Sequence, residues 1–208
     1  MVVINSPSNP TGAIYTADEL KALADLLLQH PNILIASDDM YEHIILGDLG
    51  FTNILEVCPA LRERTIVLNG VSKAYSMTGW RIGYAGGPKA IIKAMKTVQS
   101  QSTSNPCSIS QAAAVAALNG DQACIQTMLT AFKERHQFVV QRINQIPGFK
   151  CLPADGAFYM FINVSDAVKM KDLANDAELA SAILDHAEVA AVPGSGFGSE
   201  GHLRISFA

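Results

Sequence analysis

Short apolar runs alternate with amphipathic segments up to about residue 147. The β-branched runs at residues 2–4, 32–37 and 65–68 are typical of strands that are buried on both faces of a parallel sheet. Thr16 and Glu19 form a capping box ahead of leucines at helical spacing, and this segment stops at His30–Pro31. The order strand, helix, strand predicts an α/β fold with a mostly parallel sheet and flanking helices.

The elements that follow change in character after Gly148. Before it, we predict a strand at residues 81–87 and helices at residues 88–100, 108–118 and 121–145. After it, we predict strands at residues 156–164, 189–192 and 202–208 and a helix at Ala177–His186. The interpretation is a partial large domain at residues 1–147, followed by part of a smaller α+β domain at residues 148–208.

The composition of the chain argues against several classes of function. Of its 208 residues, 49% are hydrophobic and 16% are charged, which indicates a packed globular protein whose low charge suggests surface shared with a second copy. A net charge of -4 without a basic run argues against a nucleic-acid or membrane-surface partner. The cysteines form no C-x-x-C pair and no apolar run is long enough to span a membrane, so we expect a cytoplasmic protein without a metal site.

Polar clusters follow three of the predicted strands. Asn9 lies in "NPTG" after the first strand, Asp38 and Tyr41 lie in "SDDMY" after the second, and Ser72–Lys73 follows the third. Ligands of doubly wound sheets bind at the carboxyl ends of the strands, so the topology brings these clusters to one edge.

Each cluster taken alone also has an ordinary structural explanation. Asn9 before Pro10 is a common turn former, and Asp38 and Asp39 are suited to capping a helix. Lys73 after a strand is typical of a solvated surface residue. Only the combination favours a site.

The combination resembles a known family. The motifs are "NPTG" (9–12), "SDDMYEH" (37–43), "SKAYSMTGWRIGY" (72–84), "GAFY" (156–159) and "LRIS" (203–206). In this order and spacing they resemble the class I aminotransferases of fold-type I, within the bacterial-type aspartate aminotransferase branch. The resemblance implies a homodimeric pyridoxal 5'-phosphate (PLP) enzyme that transfers an amino group to a 2-oxo acid. Aspartate is the expected donor and 2-oxoglutarate the expected acceptor.

The resemblance also implies roles for individual residues. Lys73 would form a Schiff base with PLP and then move a proton at the substrate. Asp38 would hold the pyridine nitrogen, Tyr41 and Asn9 the 3-oxygen of the ring, and Arg81 the phosphate.

Two further assignments, of Arg204 and Ser72, complete the expected site. Arg204 would bind the α-carboxylate of the substrate together with Asn9. Gly70 stands where many relatives carry a phosphate-binding serine, so Ser72 is the candidate in its place. Phe158 and Tyr159 are interpreted as strand core residues and are not included in the site.

The resemblance covers the C-terminal half of such an enzyme, and the sequence is therefore interpreted as truncated. Two alternatives stay open. One is a PLP lyase of the same fold, such as a C–S lyase, because cofactor contacts do not fix the reaction. The other is a non-catalytic fragment.

Overall fold

The computed structural model describes residues 1–208, and the chain divides into two compact units. Unit 1 comprises Met1–Pro7, Ile14–Ile45 and Leu49–Thr127, and unit 2 comprises Ser8–Ala13, Leu46–Asp48 and Met128–Ala208. The domain boundary between residues 147 and 148 is a different division of the chain, and it stays a prediction.

Unit 1 is built on a four-stranded sheet. Its strands are β1 (Val2–Asn5), β2 (Ile35–Asp38), β3 (Thr65–Gly70) and β4 (Gly83–Gly86), and they lie in that order. β1, β2 and β3 are parallel, whereas β4 is antiparallel to β3. Asn5 pairs with Asp38, and Asp38 with Leu68, so the carboxyl ends of the parallel strands lie at one edge, where β3 continues beyond Leu68 to Gly70. The predicted α/β fold with a mainly parallel sheet is confirmed.

The helices of unit 1 are α1 (Ala17–Leu28), α2 (Ile54–Val57), α3 (Lys89–Ser102) and α4 (Ser108–Asn119), with a 3₁₀ segment at Pro59–Arg64. The predicted capping box is present, because Thr16 accepts from the Glu19 amide and Glu19 from the Thr16 amide. Leu20 and Leu27 on the same helix pack in the core with Ile35 of β2. The sequence interpretation missed α2 and the 3₁₀ segment, since neither is long enough to show a helical period.

Helix α5 (Ala123–Ile143) begins in unit 1 and continues into unit 2. Unit 2 also contains β5 (Lys150–Cys151), β6 (Tyr159–Asn163), α6 (Ser165–Met170), α7 (Asp176–Ala187), β7 (Val192–Pro193) and β8 (His202–Ser206). Its strands form an antiparallel sheet in the order β5-β6-β8-β7. No helix of the chain combines the length and the apolar character needed to cross a bilayer.

The register of β6 and β8 decides which side chains face the core. Met160, Ile162 and Leu203 are almost fully buried on one face of the sheet. Phe161 pairs with Arg204, so these two side chains project together from the opposite face. The strand pairing therefore sets Arg204 beside aromatic neighbours.

Candidate active site

Asp38 ends β2 at the carboxyl edge of the unit 1 sheet. Its Oδ1 accepts a hydrogen bond of 3.3 Å from the Met40 amide, and its carbonyl accepts one of 3.5 Å from Asn5 Nδ2. No lysine, arginine or histidine forms an ion pair with the Asp38 carboxylate. The negative charge is thus available to a cationic group of a ligand.

Asp39 fixes the turn that follows β2. It is 4% exposed; its carboxylate accepts from Ser37 Oγ at 2.6 Å and also from Asn53 Nδ2. Burial raises the pKa of the Asp39 carboxyl, and the hydrogen bonds from Ser37 and Asn53 oppose that rise. Neither Asp38 nor Asp39 caps a helix, because residues 40–43 form a turn. The sequence interpretation did not see this supporting role, since the partner Asn53 lies beyond any local motif.

Lys73 lies in the turn after β3, half-buried rather than fully solvated. Its Nζ is 5.6 Å from the centroid of the Tyr41 ring, close enough for a cation–π attraction, and Tyr41 itself is 4% exposed. The buried side chains of Val71 and Ala74 anchor the turn on either side. The structure therefore brings Lys73 and Tyr41 together, with Ser72 half-buried beside them in the same turn.

Arg81 follows the 3₁₀ turn Thr78–Trp80 and is exposed. Its backbone has a φ of 52°, and its Nη1 donates to the Thr78 carbonyl at 2.9 Å. No carboxylate pairs with its guanidinium. The remaining N–H donors are thus suited to an anion that binds from solvent.

Arg204 in unit 2 is held by aromatic rings and by Asn9. Its guanidinium carbon lies 4.5 Å from the Tyr159 ring centroid and 5.1 Å from that of Phe197. Its Nη1 donates to Asn9 Oδ1 at 2.9 Å, and its Nε is buried with no acceptor. An unpaired buried donor is unfavourable, so this nitrogen is a polar group that the chain itself leaves without an acceptor.

The sequence interpretation missed the two aromatic neighbours of Arg204. Tyr159 is buried, as expected for a strand core residue, but it also packs on the guanidinium. Phe197 lies in the glycine-rich stretch "GSGFG" shortly before "LRIS", and an aromatic residue in such a loop was the available signal.

Comparison with known proteins gives consistent matches. The family model described as "Aminotransferase class I and II" matches residues 1–208. An aspartate/prephenate aminotransferase of Nitrosomonas europaea is 58% identical over 100% of this chain and 54% of that protein. An aspartate aminotransferase of Geobacillus stearothermophilus is 51% identical over 100% of this chain and 52% of that protein.

Solved structures agree with this result. The aspartate aminotransferase from Rhizobium meliloti superposes with a TM-score of 0.90 at 45% identity, over 99% of this chain and 53% of that chain. The Thermus thermophilus aspartate aminotransferase with maleate gives a TM-score of 0.87 at 38% identity, over 98% and 51%. The chain thus spans about half the length of the relatives that it matches.

Proposed function

Since the chain belongs to the class I and II aminotransferase family, we propose that it takes part in the PLP-dependent transfer of an amino group from aspartate to 2-oxoglutarate. The observation that carries this proposal is the half-buried residue Lys73, whose Nζ lies beside the Tyr41 ring at the carboxyl edge of a mainly parallel sheet. The names of the relatives support aspartate as the donor.

The chemistry of three side chains of unit 1 supports PLP as the cofactor. An amine suits the aldehyde of PLP, and a carboxylate without an ion-pair partner suits its ring nitrogen. A guanidinium without a carboxylate partner suits its phosphate. Lys73, Asp38 and Arg81 are the residues that would hold these groups, with the Ser72 hydroxyl as a further donor to the phosphate. When bound, PLP supplies an electron sink that allows the amino acid to lose its α-proton.

Asp38, Tyr41 and Asn9 would tune the cofactor. The fixed charge of Asp38 favours a protonated ring nitrogen, which makes the ring a better electron acceptor. Tyr41 and Asn9 would donate hydrogen bonds to the 3-oxygen of the ring.

Lys73 and Arg204 would act on the substrate. Lys73 Nζ would accept the α-proton of the bound amino acid and return it in the reverse direction. Arg204 would bind the α-carboxylate with two parallel N–H donors, which its planar guanidinium allows. Asn9 Oδ1 already accepts from Nη1, so it orients the guanidinium before substrate arrives.

An assay of amino transfer tests the proposal. The chain is incubated with PLP, aspartate and 2-oxoglutarate, and glutamate and oxaloacetate are measured. We expect both products from the wild type and from Lys93→Ala, which changes an exposed lysine of α3, and neither from Lys73→Ala. Absence of glutamate from the wild type would contradict the proposal, and pyruvate with ammonia from a cysteine-type substrate would favour the lyase.

A second acceptor is suggested by the relative that is 58% identical and named for both aspartate and prephenate. We propose prephenate as an alternative 2-oxo acid for the same site. Replacing 2-oxoglutarate by prephenate, with aspartate as donor, should still give oxaloacetate and an aminated product.

We also propose that two copies of the chain associate. Helices α3 and α4 expose apolar side chains, among them Val98 at 71%, Ile109 at 69% and Val115 at 58%. Such exposure favours burial against a partner surface. Light scattering after size exclusion should give twice the mass of 22.2 kDa, and a monomer at high concentration would contradict the proposal.

A further inference from the structure

A buried histidine in unit 2 lies behind the loop that carries Asn9. His136 on α5 is 7% exposed, and its Nε2 accepts a hydrogen bond of 2.9 Å from the Ala154 amide. A nitrogen that accepts cannot carry a proton, so the imidazole is neutral with its hydrogen on Nδ1. Burial lowers the pKa of His136, and the Asp155 carboxylate opposes this shift.

Ala154 belongs to a segment, residues 153–156, on which the Asn9 loop rests. The amides of Asp155 and Gly156 both donate to the Gly12 carbonyl, at 3.1 and 2.9 Å. Gly12 has a φ of +71°, and a Cβ there would lie 2.6 Å from both the Ala154 Cβ and the Gly156 carbonyl oxygen. No side chain fits between the loop and this segment, so a shift of the segment moves the loop.

The Asn9 loop (residues 8–13) links the 153–156 segment to Arg204. Hydrogen bonds from the Ser8 amide to the Ala13 carbonyl, 2.9 Å, and from the Gly12 amide to the Ser8 carbonyl, 2.7 Å, close the loop on itself. Asn9 Oδ1 in this loop accepts from Arg204 Nη1. The loop is therefore compact enough to move as one piece.

His136 also contacts the end of the strand that carries Arg204. Its ring centroid lies 5.7 Å from that of Phe207, which directly follows β8. The Phe207 amide donates to the Phe158 carbonyl at 3.1 Å, and Phe132 packs on both phenylalanine rings. One imidazole thus contacts both the segment that holds the Asn9 loop and the residue that follows the Arg204 strand.

We propose that His136 is a positioning residue for the carboxylate site: as a neutral acceptor it holds residues 153–156, and through them the Asn9 loop, so that Asn9 orients Arg204. Its effect on substrate binding rests on the proposed function of Arg204. Its effect on the loop does not depend on that function.

Two substitutions distinguish the role of His136 as a hydrogen-bond acceptor from its role in packing. His136→Gln places Oε1 near the position of Nε2 and keeps the acceptor, whereas His136→Leu fills the space without one. His186→Leu, at an exposed position of α7, is the matched control.

Amide hydrogen exchange in the full chain measures the stability of the hydrogen bonds that hold the loop. We expect the Asp155 and Gly156 amides to exchange about tenfold faster in His136→Leu. His136→Gln and the control should keep the wild-type rates, and the Ile162 amide of β6 reports whether the fold is intact. Unchanged protection in His136→Leu, or equal loss in both variants, would overturn the proposal.

Binding of maleate, an unreactive dicarboxylate, tests whether Arg204 is positioned to bind a carboxylate. The titration is followed by NMR of the Arg204 Nε–H. The affinity for maleate should fall about tenfold in His136→Leu and stay near the wild-type value in His136→Gln. Lost protection with unchanged affinity would overturn the positioning of Arg204. A wild type that does not bind maleate would contradict the proposed function instead, and the exchange rates would still decide the role of His136.

A pH series taken downward from pH 7 supplies a second comparison if His136→Leu does not fold. Protonation removes the acceptor, so the Asp155 and Gly156 amides of the wild type should lose protection at the pH where His136 titrates, while His136→Gln keeps it. The charged groups around this ring are the Asp155 carboxylate and, next to it on α5, Arg135, which donates to the Phe207 carbonyl. Equal acid sensitivity of the wild type and His136→Gln would contradict the proposal.

Discussion

Arg81 in unit 1 and Arg204 in unit 2 are both proposed to bind an anion, but the chain positions them by different means. Arg81 is exposed and bonded to the carbonyl of Thr78 in its own turn. Arg204 lies between the rings of Tyr159 and Phe197 and is bonded to Asn9, a residue near the other end of the chain. A guanidinium fixed by tertiary contacts is preorganised before its ligand binds, whereas one on a local turn is ordered by the ligand itself. The comparison predicts that changes remote in sequence weaken the Arg204 site and leave the Arg81 site intact.

The largest effect is expected at the preorganised arginine. Arg204→Lys keeps the charge but loses the planar pair of donors and the stacking on two rings, so maleate affinity should fall by about 100-fold. Arg142→Lys is the matched control, because Arg142 also stacks on an aromatic ring, 5.5 Å from the Phe138 centroid. Calorimetric titration measures both variants, and equal affinities would show that Arg204 does not bind the carboxylate.

Two glycines test whether long-range packing matters more than the local turn. Gly12→Ala places a Cβ 2.6 Å from the Ala154 Cβ, and we expect the free energy of unfolding to fall by about 2 kcal/mol. Gly79→Ala, in the turn before Arg81, meets no atom within 4 Å and should change it by less than about 0.5 kcal/mol. Denaturant melts measure both values, and similar losses would remove the distinction between the two regions.

Substitution of Arg81 should weaken only the binding of the PLP phosphate. Arg81→Ala removes a guanidinium from the proposed phosphate site, so PLP affinity should fall about tenfold while pyridoxal, which lacks the phosphate, binds as before. Arg62→Ala changes another exposed arginine of unit 1 and serves as control. Absorbance titrations with both ligands decide, since an equal loss for PLP and pyridoxal would contradict a phosphate contact.

The smallest effect concerns the acid sensitivity of unit 2. The pKa of His136 is lowered in the folded chain, so the unfolded chain binds the proton more readily below its ordinary pKa of about 6.5. The stabilisation is complete above that pH and is lost as the pH falls. The free energy of unfolding should therefore drop more between about pH 7 and pH 5 in the wild type than in His136→Gln. Parallel pH profiles would show that His136 does not titrate differently on folding.

The sequence predicts those parts of the molecule that local physics determines. The capping box at Thr16 and Glu19 sets the start of α1, and the apolar runs at β2 and β3 identify a buried parallel sheet. The two-residue strands β5 and β7 are too short for periodicity to define them. The strand expected at residues 189–192 lies at Val192–Pro193.

The candidate site divides in the same way. Motifs identify Lys73, Asp38 and Arg204 as chemical candidates, because residue type and strand ends are visible in the sequence. The supporting contacts were not visible: Asp39 depends on Asn53, and the Asn9 loop depends on the segment of residues 153–156. Such contacts join distant segments, and no local pattern encodes them.

The most direct test of the proposed chemistry is chemical trapping at Lys73. The chain is mixed with PLP, reduced with borohydride, digested and analysed by mass spectrometry, with Lys73→Ala treated in the same way. We predict one dominant pyridoxyl adduct, on Lys73, that is absent from the variant. Label spread over exposed lysines such as Lys93 and Lys133, and unchanged in Lys73→Ala, would contradict a cofactor site at the carboxyl edge of this sheet.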